Sequence, residues 1–205
     1  MADYEKLWAS EKFRKDKCRT LFHADVFLSI YSHIMRNTNA LSIGVARTLI
    51  DWGCGNGSHS MEFIGRGIEV VGMNDIASNC LDDATKDVFC NIFEAKPLCE
   101  ADPIPAHFSY CVDVLEHLEE DDIDDSIKNI VAHTELPGFI FVNVSTERDM
   151  WHDVELHKTV KDFYWWTEKL RNLIPGQSLF SYNLMNKAYG TFWYLPVGGK
   201  FHGVT

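Results

Sequence analysis

Residues 48–57 limit the possible folds of this chain more than any other segment, because they join an apolar strand to a glycine-rich turn. The run reads T-L-I-D-W-G-C-G-N-G, with Asp51 at the strand end and glycines at positions 53, 55 and 57. Glycine has no Cβ, so such a turn is tight and lets a ligand approach the backbone, and a following helix points N–H groups at that ligand. The segment predicts a strand, a turn and a helix that surround the site of a nucleotide-like cofactor.

The spacing of the glycines separates two classes of cofactor. A dinucleotide-binding turn reads G-x-G-x-x-G, but Ser58 stands where its last glycine would be. The pattern D-x-G-C-G-x-G instead resembles motif I of class I S-adenosylmethionine (SAM)-dependent methyltransferases. The resemblance implies that five residues hold the methionine part of SAM: Asp51, Gly53, Cys54, Gly55 and Gly57. A glycine turn without a ligand stays an alternative.

Short apolar runs alternate with amphipathic segments along the chain, which is typical of parallel α/β folds. Strands are expected at 48–52, 68–73, 88–92, 108–112, 139–144, 178–182 and 191–195, with a helix at 78–84 before the third. The resemblance implies a Rossmann-like, doubly wound, seven-stranded sheet, mostly parallel with the last strand antiparallel, and helices on both faces. We expect one domain (1–205) with an N-terminal helical cap (1–45), a cofactor-binding core (46–145) and an acceptor-side loop, helix and closing hairpin (146–205).

Ligands of such sheets bind beyond the carboxyl ends of the strands. After the second strand, Asp75 is expected to accept hydrogen bonds from the ribose hydroxyls, with Ile76 beside it. In the family that the motif resembles, the usual pattern here is glycine, one apolar residue and the acid. Residues 72–75 read G-M-N-D, with one residue more before the acid, so Asn74 is an alternative ribose ligand. A helix-capping role for Asp75 is another. After the third strand, Asn91 and Phe93 are expected near the adenine.

A second motif, D-V-L-E-H-L at 113–118, follows the fourth strand. It resembles the segment that lines the cofactor in the methyltransferase group of ubiquinone and menaquinone biosynthesis, which implies that Asp113 and Val114 face SAM. His117 is then a general base or a substrate contact. A capping box from Asp113 to Glu116 is the structural alternative. No metal is predicted, because Asp113 and His117 have no evident third ligand.

His157 is the best candidate for a general base, because imidazole titrates near working pH and the resemblance implies that the loop after the fifth strand closes over the acceptor. A histidine bound by backbone groups is the alternative. At the N-terminus, Tyr4 and Trp8 are candidates for a lid over the site or for core positions. Arg14 is a candidate for pairing the methionine carboxylate.

The composition narrows the range of partners. The 205 residues carry a formal net charge of −11, which disfavours a nucleic-acid backbone. No apolar run approaches a bilayer span, and six cysteines without a C-x-x-C pair indicate reduced thiols, so a cytoplasmic location is expected. The sequence predicts a SAM-dependent methyltransferase acting on an O, N or C atom of a small-molecule acceptor, with no oligomeric state specified. A nucleotide-dependent oxidoreductase and a non-catalytic SAM-binding regulatory protein stay open.

Overall fold

A β-sheet between two layers of helices forms the frame of the protein in a computed structural model, which describes residues 3–16, 21–37, 47–174, 177–184 and 187–194. The strands are β1 (Thr48–Trp52), β2 (Glu69–Asp75), β3 (Phe93–Ala95), β4 (Ala106–Val112), β5 (Thr134–Ser145), β6 (Met150–Trp151), β7 (Val154–Glu155), β8 (Gln177–Leu184) and β9 (Lys187–Tyr194). The helices are α1 (Tyr4–Ala9), α2 (Glu11–Asp16), α3 (Phe22–Asn37), α4 (Ser58–Gly65), α5 (Asp83–Phe89), α6 (Glu120–Ala132) and α7 (Phe163–Leu173). None of the described helices is both long and apolar enough to span a bilayer.

The main sheet has seven strands in the order β3-β2-β1-β4-β5-β9-β8, and β6 and β7 form a separate hairpin. The strands from β3 to β5 in this order are parallel to their neighbours, whereas β9 is antiparallel to both β5 and β8. The chain order reverses between β1 and β4, and an open parallel sheet has its ligand crevice at such a point. The predicted α/β, Rossmann-like class with a mostly parallel sheet is confirmed.

Alternate residues of the strands point to opposite faces of the sheet, and each face is covered by helices. On one face, Phe27 of α3 packs against Phe63 of α4 and Tyr110 of β4. On the other face, Trp52 of β1 lies in a cluster with residues of α6 and α7, among them Trp166. All of these rings are fully buried, and burying one large apolar side chain stabilises a fold by about 1.5–3 kcal/mol.

The predicted positions of the third strand and of the helix before it are wrong. The strand expected at 88–92 lies instead at 93–95, and the helix expected at 78–84 begins only after its N-cap Asp82. Val88 is 52% exposed whereas Phe89 is 1% exposed, so the apolar run belongs to the end of an amphipathic helix. Short apolar runs do not distinguish a buried strand from the end of a helix.

A β-bulge in β2 determines which residue ends that strand. Leu49 and Ile50, successive residues of β1, pair with Val70 and Gly72, so β2 holds one extra residue between them. The strand runs past its expected end to Asp75. The bulge therefore places Asp75 at the carboxyl edge of the sheet.

The division into cap, core and acceptor-side part stays a prediction, as does the single domain 1–205. Residues 38–45 of the expected cap, and residues 185–186 and 195 of the closing hairpin, lie outside the described residues. Within the described residues the closing strands are β8 and β9, which are longer than the strands expected there.

Candidate functional site

A cavity of about 650 Å³ lies at the carboxyl edge of the sheet, where the strand order reverses. Its lining residues follow or end five neighbouring strands: Lys96 after β3, Asp75 in β2, Gly53 after β1, Val114 after β4 and Ser145 in β5. Helices α1 and α2 cover it with aromatic side chains, among them Tyr4. Small-molecule sites have volumes of about 300–1,000 Å³, so the cavity is large enough for such a ligand.

We call residues 51–57, together with the end of β2, the glycine-loop end of the cavity. Gly53, Gly55 and Gly57 have φ angles of +67°, +55° and +80°, in the left-handed region that side chains disfavour. At Gly53 an added Cβ would also lie 2.2 Å from Cγ2 of Val114. Of the three glycines only Gly53 lines the cavity. Because it has no side chain, its backbone forms part of the cavity wall.

Asp51 and Cys54 support this loop but do not line the cavity. The Asp51 carboxylate is fully buried and accepts a hydrogen bond from Ser60 Oγ of α4 at 2.7 Å. The Cys54 N–H donates to the Asn74 carbonyl at 2.8 Å. Burial, together with the neighbouring Cys80 thiol, raises the pKa of the Cys54 thiol. These two residues are placed to hold the loop in shape rather than to touch a ligand.

Asp75 fastens the glycine loop to the end of β2. Its carboxylate oxygens accept hydrogen bonds from the Gly55 N–H at 3.0 Å and from the Ala77 N–H at 3.1 Å, and the residue also lines the cavity. Asn74 lines the cavity as well, but its side-chain amide donates to two backbone carbonyls in and after β3. The capping role considered for Asp75 is wrong, because the N-cap of α5 is Asp82.

The expected adenine contacts, Asn91 and Phe93, do not line the cavity. They lie at the amino end of β3, whereas the cavity is at its carboxyl end. The error follows from the misplaced third strand, since a strand ending at position 92 would have put both residues at its carboxyl end. Residues 96–100, with the sequence K-P-L-C-E, and Ile76 line the cavity there.

The segment after β4 turns sharply and does not begin a helix. Asp113 has a φ of +53°, a left-handed conformation that costs about 1–3 kcal/mol. Leu115–His117 form a single 3-10 turn, and α6 begins later with Glu119 at its N-cap. The capping box from Asp113 to Glu116, which was the structural alternative, is therefore wrong. Asp113 and the adjacent Val114 both line the cavity.

Glu116 joins this turn to the end of β5. It is fully buried, and its Oε1 accepts a hydrogen bond from the Ser145 N–H at 2.7 Å. Its backbone carbonyl accepts from the N–H groups of Lys158 and Thr159 at 2.8 and 3.1 Å. Sequence reasoning considered only a capping role for Glu116 and missed this position.

His117 and His157 both line the cavity, with ring centroids 4.7 Å apart. We call these two residues and Tyr4 the histidine end. His117 Nδ1 lies 3.1 Å from the Leu156 carbonyl and 2.9 Å from Tyr4 Oη, and His157 Nδ1 lies 2.5 Å from the Glu147 carbonyl. A carbonyl oxygen only accepts hydrogen bonds, so we assign the proton of each ring to Nδ1 and the lone pair to Nε2.

The sequence identified both histidines but not the contact between them, because all of α6 and β5 separates them along the chain. The signal that could have found it is the order of the strands. β4 and β5 are adjacent and parallel, so the segments that follow them meet at one edge of the sheet. The alternative considered for His157, a hydrogen bond to a backbone group, is present at its Nδ1. In the assigned tautomer its Nε2 carries a lone pair that can accept a proton or bind a metal.

Helices α1 and α2 place Tyr4, Trp8 and Phe13 in the cavity lining. Trp8 also belongs to the buried core and Tyr4 packs against it, so the core positions considered for these two residues are present as well, and their role as a lid stays a prediction. Burial raises the pKa of Tyr4 well above its ordinary value, so its hydroxyl keeps its proton. Arg14 is not in the lining. Its guanidinium donates to carbonyls of the loop before α5 and to the Asp82 carboxylate, at 3.1 Å for the latter. Arg14 therefore ties α2 to that loop and does not face the cavity.

Acidic side chains outnumber basic ones in the cavity lining. They include Asp113, Glu119 and Asp149, whereas among the described lining residues the lysine and arginine side chains are those of Lys96 and Arg148. A negative lining favours cationic groups of a ligand and disfavours polyanions.

No protein-family model and no curated protein matches the chain in sequence comparisons. Solved structures are similar to it. The 1,6-didemethyltoxoflavin-N1-methyltransferase of Burkholderia thailandensis, with bound 1,6-didemethyltoxoflavin and S-adenosylhomocysteine (SAH), has a TM-score of 0.60 at 16% identity, over 95% of this chain and 90% of that chain. The magnesium protoporphyrin IX methyltransferase of Synechocystis PCC 6803, with bound SAH, has a TM-score of 0.57 at 13% identity, over 82% of this chain and 81% of that chain. A putative SAM-dependent methyltransferase from Listeria monocytogenes has a TM-score of 0.58 at 11% identity, over 74% of this chain and 92% of that chain. These likenesses show that the chain has the fold of SAM-dependent methyltransferases.

Proposed function

We propose that the chain is a SAM-dependent methyltransferase that acts on a small molecule. The observation that carries the proposal is one cavity that is lined by a glycine of the loop after β1, by the strand-end carboxylate of Asp75 and by two histidines. Structures of the same fold support it, since the Burkholderia thailandensis and Synechocystis enzymes hold SAH.

In this proposal SAM lies along the glycine-loop end with its sulfonium toward the histidine end. The Gly53 backbone approaches the methionine part, and Asp75 accepts hydrogen bonds from the ribose hydroxyls. The adenine lies against residues 96–100, and Asp113 and Val114 face the central part of SAM. The acidic lining supports this arrangement, because SAM carries a positive charge on sulfur.

The reaction is a displacement at the methyl group of SAM. A lone pair of the acceptor forms a bond to the methyl carbon, the carbon–sulfur bond breaks, and its electron pair stays on sulfur, which leaves SAH. A proton on the acceptor atom passes to a base or to water. Alignment of two reactants contributes about 7–11 kcal/mol, whereas a base adds about 10²–10⁴-fold. The protein therefore acts mainly by alignment, and base catalysis by His117 or His157 stays a prediction.

The acceptor is a small molecule with an O, N or C atom as its nucleophile. The cavity is covered by α1 and α2, and its acidic lining disfavours a polyanion. The named substrates of the two enzymes above are small molecules. The likeness of residues 113–118 to the ubiquinone and menaquinone group supports the same class of acceptor. A cytoplasmic location stays a prediction.

Calorimetric titration of the purified protein with SAH and with NAD⁺ tests the proposal. We expect SAH to bind with micromolar affinity and NAD⁺ not to bind, since Ser58 replaces the last glycine that a dinucleotide turn needs. NAD⁺ binding without SAH binding would favour the oxidoreductase.

A turnover assay separates the enzyme from a non-catalytic SAM-binding protein. SAH release from SAM is measured over a broad panel of phenols, amines and activated carbon acids. Turnover of at least one acceptor is expected. Micromolar SAH affinity without turnover on any of them would favour the regulatory protein.

A further inference from the structure

Three potential metal ligands converge at the histidine end. A carboxylate oxygen of Glu116 and one ring nitrogen each of His117 and His157 all lie within 4.8 Å of one another. The geometry points to a site for a divalent transition-metal ion formed by these three residues, with an open coordination position toward the acceptor. Ligand atoms about 2.1 Å from one ion are at most about 4.2 Å apart, so small side-chain rotations close the site.

The hydrogen bonds of the two rings prepare them for a metal. Each Nδ1 donates to a backbone carbonyl, that of Leu156 for His117 and that of Glu147 for His157. Histidines that bind metals typically donate their other ring N–H to a carbonyl or carboxylate, which fixes the ring and makes the ligating nitrogen more basic. In this tautomer Nε2 is the nitrogen without a proton on each ring, and it is therefore the ligand atom in the inferred site.

The third ligand is a buried carboxylate. Glu116 is 0% exposed, and the Ser145 N–H at 2.7 Å fixes the orientation of its carboxylate. Burying a carboxylate costs several kcal/mol unless hydrogen bonds and positive charge compensate it. A divalent cation between Glu116 and the two histidines supplies that charge at a place where the acidic lining already favours cations.

The ligand set indicates which ions fit. Two imidazole nitrogens and one carboxylate oxygen suit Zn²⁺, Mn²⁺, Fe²⁺ or Co²⁺, whereas Ca²⁺ and Mg²⁺ prefer oxygen ligands. Three protein ligands leave at least one position for water or substrate. Asp149 Oδ2 lies 3.9 Å from His157 Nε2, within reach of a water bound to the ion.

Sequence reasoning rejected a metal because Asp113 and His117 lacked a third ligand. The structure changes both parts of that argument. The 3-10 turn after β4 brings Glu116 rather than Asp113 beside His117, and the loop after β5 supplies His157.

The role of the ion rests on the proposed function. An oxygen of the acceptor, such as a phenol or other hydroxyl group, occupies the open position. The ion then orients this oxygen toward the SAM methyl group and lowers the pKa of the hydroxyl, as a Lewis acid does. The two Nε2 atoms hold the ion instead of acting as free bases.

The test is a Co²⁺ titration of chelator-treated protein, followed by calorimetry and by the visible absorption of bound Co²⁺. We expect binding of one equivalent that Zn²⁺ competes away. Glu116→Gln and His157→Asn are each expected to weaken Co²⁺ binding by about tenfold or more. His152→Asn is the matched control, because His152 lies outside the cavity lining and has a φ of +52°, which asparagine tolerates.

Two results would overturn the inference: no stoichiometric Co²⁺ binding, or binding by both site variants that equals that of His152→Asn. Far-UV circular dichroism and SAH titration of each variant, both without metal, check that the variants are folded. SAH binding by metal-free protein also separates this inference from the proposed function. Co²⁺ binding without SAH binding contradicts the function and leaves the metal site, whereas SAH binding without Co²⁺ binding contradicts the site alone.

Discussion

The glycine-loop end and the histidine end of the cavity differ in the atoms that form them. At the glycine-loop end, the backbone of Gly53 lines the cavity, and left-handed φ angles at Gly53, Gly55 and Gly57 fix the course of the loop. At the histidine end, side chains line the cavity. They come from distant parts of the chain, since Tyr4 and His117 share a hydrogen bond of 2.9 Å.

This difference determines how each end responds to a mutation. A backbone-built end depends on space and conformation, so small changes of side-chain volume there have large effects. A side-chain-built end depends on individual hydrogen bonds, and the net worth of one neutral hydrogen bond is about 0.5–1.5 kcal/mol. Substitutions at the two ends should therefore differ in both size and kind.

The largest effect is expected for Gly53→Ala. The left-handed φ costs an alanine about 1–2 kcal/mol, and overpacking against Val114, 2.2 Å from the new Cβ, costs about 1–3 kcal/mol more. We expect the free energy of unfolding, measured in urea, to fall by about 2–5 kcal/mol. SAH affinity should fall by about tenfold or more because the wall of the cavity moves.

Two other glycines separate the causes. Gly67 has a φ of +76° but nothing within 4 Å of an added Cβ, so Gly67→Ala should cost only about 1–2 kcal/mol of strain. Gly65 has neither constraint, and Gly65→Ala should be neutral or stabilise α4 by up to about 1 kcal/mol. An equal loss of unfolding free energy in Gly53→Ala, Gly67→Ala and Gly65→Ala would contradict a clash between the new Cβ at position 53 and Val114.

The next effect is expected for Asp75→Asn. In the proposed function the carboxylate accepts charge-assisted hydrogen bonds from the ribose, and loss of its charge should cost about 1.5–3 kcal/mol of binding in total. SAH affinity, measured by calorimetry, should fall by about 10- to 150-fold. Asp87→Asn on the exposed face of α5 removes the same charge away from the cavity and should leave the affinity unchanged.

Asn74→Ala completes this comparison, since Asn74 was the alternative ribose ligand. Its amide donates to two backbone carbonyls in and after β3, so its loss should lower stability by about 1–3 kcal/mol. A larger loss of SAH affinity in Asn74→Ala than in Asp75→Asn would reverse the roles of the two residues.

The sequence predicted the glycine-loop end better because its determinants are local. Alternating apolar runs indicate strands, and a glycine spacing of two residues indicates the turn, without any knowledge of the partners. Asp75 could be assigned only in part, because the bulge beside Gly72 depends on the pairing of β2 with β1. Asn91 and Phe93 were misplaced because the short, mostly apolar run at 88–92 fits a strand and a helix end equally well.

For the histidine end, the sequence identified the two histidines but did not predict how they are arranged in space. His117 and His157 stand out by their chemistry, yet their contact depends on the adjacency of β4 and β5. The position of Glu116 depends on the Ser145 N–H, 29 residues further along the chain. Such contacts are set by tertiary structure, and a single sequence carries no local signal for them.

A chemical footprint tests where the adenine lies. Cys99 is exposed and lines the cavity, whereas Cys90 is exposed but lies outside the lining. At an SAH concentration of about ten times Kd, roughly one tenth of the protein is free, so alkylation of Cys99 should slow about tenfold. Peptide mass spectrometry after iodoacetamide treatment measures both rates.

Cys90 serves as the internal control and should react at the same rate with and without SAH. Partial desolvation raises the pKa of the Cys99 thiol, so its alkylation should accelerate as pH rises and more thiolate forms. Protection of neither cysteine by saturating SAH would contradict an adenine site at residues 96–100.

The smallest effect is expected for Tyr4→Phe at the histidine end. The change removes the hydroxyl that lies 2.9 Å from His117 Nδ1 and 3.4 Å from the Leu156 carbonyl. His117 keeps its own bond to that carbonyl at 3.1 Å, so the ring should stay in place. Stability in urea should fall by about 0.5–1.5 kcal/mol, with SAH affinity nearly unchanged.

Tyr164→Phe on α7 is the matched control, because Tyr164 is 76% exposed and its loss should leave stability unchanged. A loss in Tyr4→Phe as large as that in Gly53→Ala would mean that the histidine end depends on a single side-chain contact as strongly as the glycine-loop end depends on its backbone. The expected order follows instead from how each end is built: a clash in a left-handed loop has no alternative geometry, whereas a histidine with a second hydrogen bond keeps its orientation when the first is removed.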